Sequence, residues 1–248
     1  NISSNSKILI VGDADQLPSV SPGQVLADLL KIPPLPQTKL TKIYRQGEDS
    51  TIVTLASQIQ QGLLPADFTE KKADRSYFEA SGEYIPDMIK KIVAAAIRSG
   101  IPAQDVQVLA PMYRGPAGID QINQLMQDLI NPSEKDQLVC EAPDCQYRQG
   151  DKVIHLVNDA ESNVFNGDLG YITDLLPGKY TASKQDELTL NFDGNEIIYP
   201  RSEWYKIRLA YAMSIHKSQD SEFPVDLLPL TSSSRRMRQR PLVSNALT

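Results

Sequence analysis

Val106-Gln107-Val108-Leu109-Ala110 is a run of strand length, and nine positions beyond its end Ile119, Ile122, Leu125, Met126 and Leu129 set up a helical spacing that closes at Asn131-Pro132. A strand covered on both faces, followed at once by a helix with one apolar side, belongs to a parallel sheet flanked by helices. The rest of the chain repeats the theme. Ile8 to Val11 is a second buried-type run, ending in Gly12-Asp13, and the helix after it would take Ser21 as N-cap, Pro22 at its first position and Val25, Leu26, Leu29 and Leu30 on its apolar face. A strand over Leu40 to Ile43 leads into Tyr44-Arg45-Gln46, and Ser50 caps a helix that runs to about Gln61 and stops at Gly62. A strand near Tyr77-Phe78 precedes a helix from about Ile85 to Ser99, ended by Gly100. Three prolines within Ile32-Pro33-Pro34-Leu35-Pro36 bar helix and sheet interior alike and mark a stiff connector, the best boundary signal in the chain.

From about Pro143 to Pro200 the rhythm changes to short strands: Lys152 to Val157, Leu169 to Leu175 after Asn166-Gly167-Asp168, Leu188 to Phe192, then Ile197 to Tyr199 after Asp193-Gly194. Asp-Gly between alternating strands is a hairpin signal. This reads as a small antiparallel barrel inserted into an α/β domain, which resumes with Leu209 to Met213 and a second apolar run, Val225 to Leu230.

Composition excludes some classes. At 248 residues and 41% hydrophobic the chain can bury one large core or two modest ones, and no run reaches the apolar length of a membrane span. A net charge of -6 argues against a basic coat over the whole surface. The charge is uneven, however: Arg201 to Thr248 carries eight basic and four acidic residues, a local +4, so a polyanion partner belongs towards that end. Two cysteines, Cys140 and Cys145, make no disulfide framework, and a reducing cytosol is the expectation. With His155 and His216 they are all the soft ligands present, but their spacing fits no common zinc motif, and no metal site is assigned. The chain opens on an apolar run and stops at Ala246-Leu247-Thr248, which reads as a piece of a longer protein.

Three polar constellations could carry chemistry. Gly12-Asp13-Ala14-Asp15-Gln16-Leu17-Pro18 follows an apolar run, where an amide can bond a phosphate oxygen or an attacking water; it reads equally as a turn-forming loop. Arg45 follows another strand, and alone it reads as a solvated or ion-paired side chain. Ser214-Ile215-His216-Lys217-Ser218-Gln219-Asp220-Ser221-Glu222-Phe223 packs hydroxyls, an imidazole, an ammonium and an amide into ten positions, a donor density suited to a phosphate backbone. Its plain alternative is a polar loop after a strand.

Taken in order, these stretches resemble the RecD-like superfamily 1 DNA helicases, relatives of the exodeoxyribonuclease V alpha subunit. Gly12 to Val20 with Pro22-Gly23 and Val25 to Leu29 resembles motif III, Leu40 to Gln46 motif IV, Leu109 to Ile119 the next family signature, and Tyr211 to Phe223 motif V. Gly150 to Ile154 and Val164 to Asp168 extend the match through the insert. The resemblance implies an α/β P-loop NTPase (RecA-like) parallel-sheet fold with an inserted SH3-like β-barrel. Residues 1–34 would be the tail of a first RecA-like domain, 35–142 and 201–248 the two parts of a second, and 143–200 the barrel. It implies an ATP-dependent, 5′-to-3′ DNA helicase or translocase in a bacterial cytoplasm, with ATP and Mg2+ as cofactors. Single-stranded DNA, a first RecA-like domain outside the chain, and in some members a nuclease complex would be its partners. Gln16 and Arg45 would serve catalysis at the γ-phosphate, Glu222 would bond the nucleotide ribose, and Arg114, Ser214, His216 and Lys217 would contact DNA.

The chain contains no G-x-x-x-x-G-K-[ST] phosphate loop, so alone it is expected neither to hydrolyse ATP nor to unwind DNA. A non-catalytic DNA-binding or regulatory module that kept the fold is the alternative. Asp220 stands where the family has glycine, and Asp226 puts a carboxylate into an apolar run, where an unpaired charge is costly. Trp204, near the exit of the barrel, is expected to pack it onto the parent domain.

Overall fold

The computed structural model describes residues 6–12, 23–38, 50–115, 117–135, 137–218, 221–231, 243 and 246–247. The chain divides into two compact units, Asn1–Phe78 with Arg238–Thr248, and Glu79–Met237.

In the first unit α1 (Val25–Leu29) is a short helix that starts after Gln24 without a side-chain cap; the expected Ser21 and Pro22 lie outside the described residues. α2 (Thr51–Gln61) forms as its sequence dictates. The Ser50 hydroxyl accepts from the Val53 amide at 3.4 Å, and Gly62 closes the helix at φ 83°. Asp74 adds a long-range cap, its carboxylate accepting from the amides of Thr51 (2.8 Å) and Ile52 (3.2 Å). Two expected strands are absent. Ile8 to Val11 has no strand partner and all four side chains are exposed. A strand hidden on both faces exists only where neighbours supply hydrogen bonds and apolar cover, and among the described residues of this unit no strand runs beside it. Tyr77 and Phe78 also lie outside any ladder; Tyr77 packs on Phe68 with ring centroids 5.2 Å apart, and Arg75 donates to the Phe68 carbonyl at 2.8 Å. The expected strand over Leu40 to Ile43 lies outside the described residues.

The second unit opens with α3 (Ile85–Arg98), which buries Ile85, Ile89 and Val93 and ends before Gly100 at φ 96°. β1 (Val106–Ala110) is buried at all five positions, and α4 (Ile119–Ile130) packs Ile119, Ile122 and Met126 inward. A two-stranded antiparallel ribbon follows, β2 (Val139–Glu141) with β3 (Gln146–Arg148). Then come β4 (Lys152–His155), β5 (Leu169–Leu176), β6 (Glu187–Phe192), β7 (Asn195–Pro200), β8 (Ile207–Leu209), β9 (Ala212–Ser214) and β10 (Val225–Leu227).

These strands make two further sheets. β10, β1 and β9 lie side by side, all parallel, with β1 in the middle. The order β7-β6-β5-β4-β8 makes a five-stranded antiparallel sheet, and a 3-10 segment over Arg201–Lys206 carries the chain from β7 to β8. The β6–β7 turn holds Asp193 at φ 50° and Gly194 at φ 90°, the left-handed pair that a tight hairpin needs. Leu188, Leu190 and Phe192 alternate inward along β6. Trp204 is buried edge-on to Tyr147 of the ribbon at 5.8 Å and donates to the Tyr199 carbonyl at 3.0 Å, so it joins ribbon and insert. Among the described residues no helix is long and apolar enough to cross a membrane.

The run expected as one strand, Leu209 to Met213, is divided between sheets. Leu209 belongs to β8 and pairs with Val153 of the insert, whereas Ala212 and Met213 belong to β9 and pair with β1. The link holds because its backbone stays satisfied: the Ala210 amide donates to the Lys152 carbonyl at 2.9 Å, and the Tyr211 carbonyl accepts from Val108 at 3.2 Å. The second apolar run is shorter than expected, with β10 ending at Leu227. Asp226 within it is not an isolated charge. It stands opposite Gln107 in the ladder and keeps solvent contact, and packing against protein pushes its carboxyl up to about 6, opposed by the positive charge of Lys152.

Candidate nucleic-acid interface at the edge of the parallel sheet

β1 and β9 run in the same direction with Ala110 opposite Ser214, so the loops that follow them leave the sheet at one edge. In open α/β sheets this carboxyl-end crevice is where ligands bind. The first loop is tight. Gly118 donates to the Gly115 carbonyl at 2.8 Å, Ile119 to Met112 at 2.9 Å and Asp120 to Tyr113 at 3.3 Å, which satisfies the opening amides of α4. A Cβ on Gly118 would lie 2.6 Å from the Tyr113 carbonyl oxygen, so no other residue fits without moving the backbone. The loop presents Tyr113 and Arg114 to solvent, and the Arg208 guanidinium lies 5.8 Å from the Tyr113 ring centroid.

The second loop begins with a compact turn. The amides of Lys217 and Ser218 both donate to the Ser214 carbonyl, at 2.9 and 3.2 Å, and the Ser218 hydroxyl donates to Ile215 at 3.0 Å. Ile215 is buried and anchors the turn, leaving His216 exposed and Ser214 and Lys217 half-buried. Burial holds the Lys217 ammonium below the ordinary lysine range. That ammonium donates to the side-chain oxygen of Asn166, at the tip of the loop between β4 and β5.

Behind the turn a buried polar network fixes the start of β9. The Gln107 amide donates to the carbonyls of Ala210 and Tyr211, both at 3.1 Å, and its oxygen accepts from Lys152 Nζ at 2.9 Å. Asn123 of α4 bonds both backbone groups of Ala212, at 2.8 and 3.0 Å. Asp151, fully buried, accepts from the Arg148 amide (2.7 Å), Gln127 (2.6 Å), Asn131 (2.8 Å) and the Tyr211 hydroxyl (3.0 Å). Burial raises the Asp151 pKa even so, because desolvation outweighs those four donors. A lattice of this kind, with its donors and acceptors matched, makes a rigid seat for the exposed turn.

Ser214 therefore ends its strand, and Arg114, His216 and Lys217 follow strands that end, at one edge of the sheet. Glu222 is exposed on the segment that returns to β10, whose first residue pairs with Val106 at the other end of β1. Gln16, Arg45 and Asp220 lie outside the described residues. Sequence reasoning missed Asn166, because Asn-Gly-Asp reads as turn chemistry and its partner is 51 positions away. It also missed the Gln107–Lys152 bond, which no local pattern announces.

The family described as the ATP-dependent RecD-like DNA helicase SH3 domain matches residues 122–192, and an AAA domain family matches residues 2–81. An ATP-dependent RecD2 DNA helicase of Deinococcus radiodurans is 34% identical over 243 residues, covering 98% of this chain and 31% of that protein. The RecBCD enzyme subunit RecD of Mycolicibacterium smegmatis is 26% identical over 257 residues, covering 98% of this chain and 43% of that protein. The chain thus spans 31% and 43% of the lengths of these two relatives. Among solved structures, a Pif1 helicase from Bacteroides in complex with ADP-AlF3 and ssDNA aligns with a TM-score of 0.52 at 19% identity, over 95% of this chain and 58% of that one, a likeness of fold. Parallel sheet, matched SH3 segment and ordered motifs agree, and over 98% of its length the chain is similar to the RecD-like DNA helicases.

Proposed function

We propose that this chain supplies the single-stranded-DNA contacts and the γ-phosphate-facing residues of an ATP-dependent DNA helicase that translocates 5′ to 3′. The observation that carries the reading is the shared sheet edge of the Arg114 loop and the Ser214–Ser218 turn. There a guanidinium, an imidazole, an ammonium and a hydroxyl are offered from well-anchored backbone, the donor set a phosphodiester chain needs. Residues 35–142 and 201–248 would form the second RecA-like domain, 143–200 its insert and 1–34 the tail of the first.

In this reading Gln16 faces the γ-phosphate from one domain and Arg45 reaches it from the other. An arginine that neutralises transition-state charge only on closure couples hydrolysis to domain motion. Glu222 would accept a hydrogen bond from the nucleotide ribose. Among the described residues no three His, Cys, Asp or Glu side chains gather to hold a divalent cation, so no step is assigned to Mg2+ here. A bacterial cytoplasm and, in some settings, a nuclease complex would be its surroundings.

Binding of labelled single-stranded DNA to the chain across a salt series tests the reading. Lys217→Ala is expected to weaken binding and to lower the slope of log affinity against log salt by about 0.7, the share of one phosphate contact on a single strand. An unchanged slope would count against the role given to Lys217.

A further inference from the structure

The loop between β4 and β5 is built more firmly than a connector requires. Asp159 and Val164 exchange both backbone hydrogen bonds, at 2.8 and 3.0 Å, closing a small antiparallel bridge. Beyond it the Phe165 amide donates to the Asp168 carboxylate at 2.7 Å, the Asn166 amide to Asn158 Oδ1 at 3.0 Å, and the Gly167 amide to the His155 carbonyl at 2.9 Å. Gly167 adopts φ 110°, a conformation that side chains disfavour, so the peak of the loop is specified by residue type. All these partners hold backbone. At the tip the Asn166 side-chain amide meets Lys217.

We propose that Asn166 is a positioning residue: the insert holds the Lys217 ammonium in place for a DNA phosphate through a neutral acceptor. Neutrality is the point. An acidic residue here would orient the ammonium but cancel its charge, and the contact with a polyanion would be lost with it. An amide oxygen restricts the rotamers of a long flexible side chain and leaves the full positive charge for the ligand. The turn supplies the charge and the insert supplies the aim. This rests on the DNA-binding reading of the Ser214–Ser218 turn.

The test is a double-mutant cycle on the 248-residue chain, with labelled oligothymidylate as probe over a salt series. Asn166→Ala is expected to weaken binding several-fold with the salt slope unchanged, whereas Asn166→Asp is expected to lower the slope as Lys217→Ala does. In a Lys217→Ala background Asn166→Ala should have no further effect. A second readout needs no DNA: the 15N-edited ammonium signal of Lys217, slowed in exchange by its hydrogen bond, should broaden away in Asn166→Ala. If Asn166→Ala costs as much without Lys217 as with it, or leaves the ammonium signal intact, the proposal is overturned. If Lys217→Ala itself changes neither affinity nor slope, or the wild-type chain fails to bind at low salt, the DNA-binding reading falls instead.

Discussion

Lys152 is a lysine almost wholly out of solvent, with 4% of its surface exposed. Its ammonium donates to Gln107 Oε1 at 2.9 Å and to the Gln104 carbonyl at 3.2 Å, and lies 5.1 Å from the centre of the Phe223 ring. Burial pulls its pKa from 10.5 down to about 8, against the negative charges of Asp105 and Asp226, which resist the fall. Because the folded value lies below the unfolded one, the unfolded chain binds more protons between them. Stability should therefore rise as pH climbs from about 8 to about 10.5, by up to about 3 kcal/mol if the shift is fully expressed. Urea midpoints of the second unit against pH would show this rise, and Lys152→Met should flatten it. A rise that persists in the variant would place its source elsewhere.

Among the elements, the insert sheet shows where glycine is required by space and where by backbone angle. A Cβ on Gly170 of β5 would lie 2.7 Å from both the Asn191 carbonyl oxygen and the Phe192 ring. A Cβ on Gly194 would meet nothing within 4 Å, although φ is 90° there. Gly170→Ala is expected to cost about 2 kcal/mol by overpacking, and Gly194→Ala about 1 kcal/mol by strain at positive φ. Thermal melts of the two variants should rank them in that order. Elements whose reasons are local were readable before the structure: the capped helix α2, the Gly100-terminated α3, the β1–α4 pair and the Asp193-Gly194 hairpin. Those that depend on distant partners were not. The run Ile8 to Val11 has the pattern of a buried strand but, among the described residues, no strand beside it, and the three-residue strands β2 and β3 are too short to show a period. The candidate site divides in the same way. His216 and Lys217 stood out as a dense set of donors, but the contact between Lys217 and Asn166 depends on the insert folding back over the sheet edge.

At the scale of the whole molecule, the roles proposed for Gln16 and Arg45 separate ATP chemistry from DNA contact. In the full-length protein, Arg45→Ala is expected to cut DNA-stimulated ATP hydrolysis by about 10³-fold or more, as loss of a transition-state arginine does, while single-strand affinity stays within a few-fold of wild type. Equal loss of both activities would contradict that division of labour.

The eight residues from Ile207 to Ser214 serve two sheets in succession, three in the insert and three in the parallel sheet, with a two-residue link clamped by the Gln107 side chain. A crack that opens β8 from β4 pulls on the strand that carries the Ser214–Ser218 turn, so the two sheets have little freedom to fray separately. In native-state hydrogen exchange the Val108 amide, bonded to Tyr211, and the Ala210 amide, bonded to Lys152, should exchange with one shared opening free energy, marking insert and parallel sheet as a single cooperative folding unit.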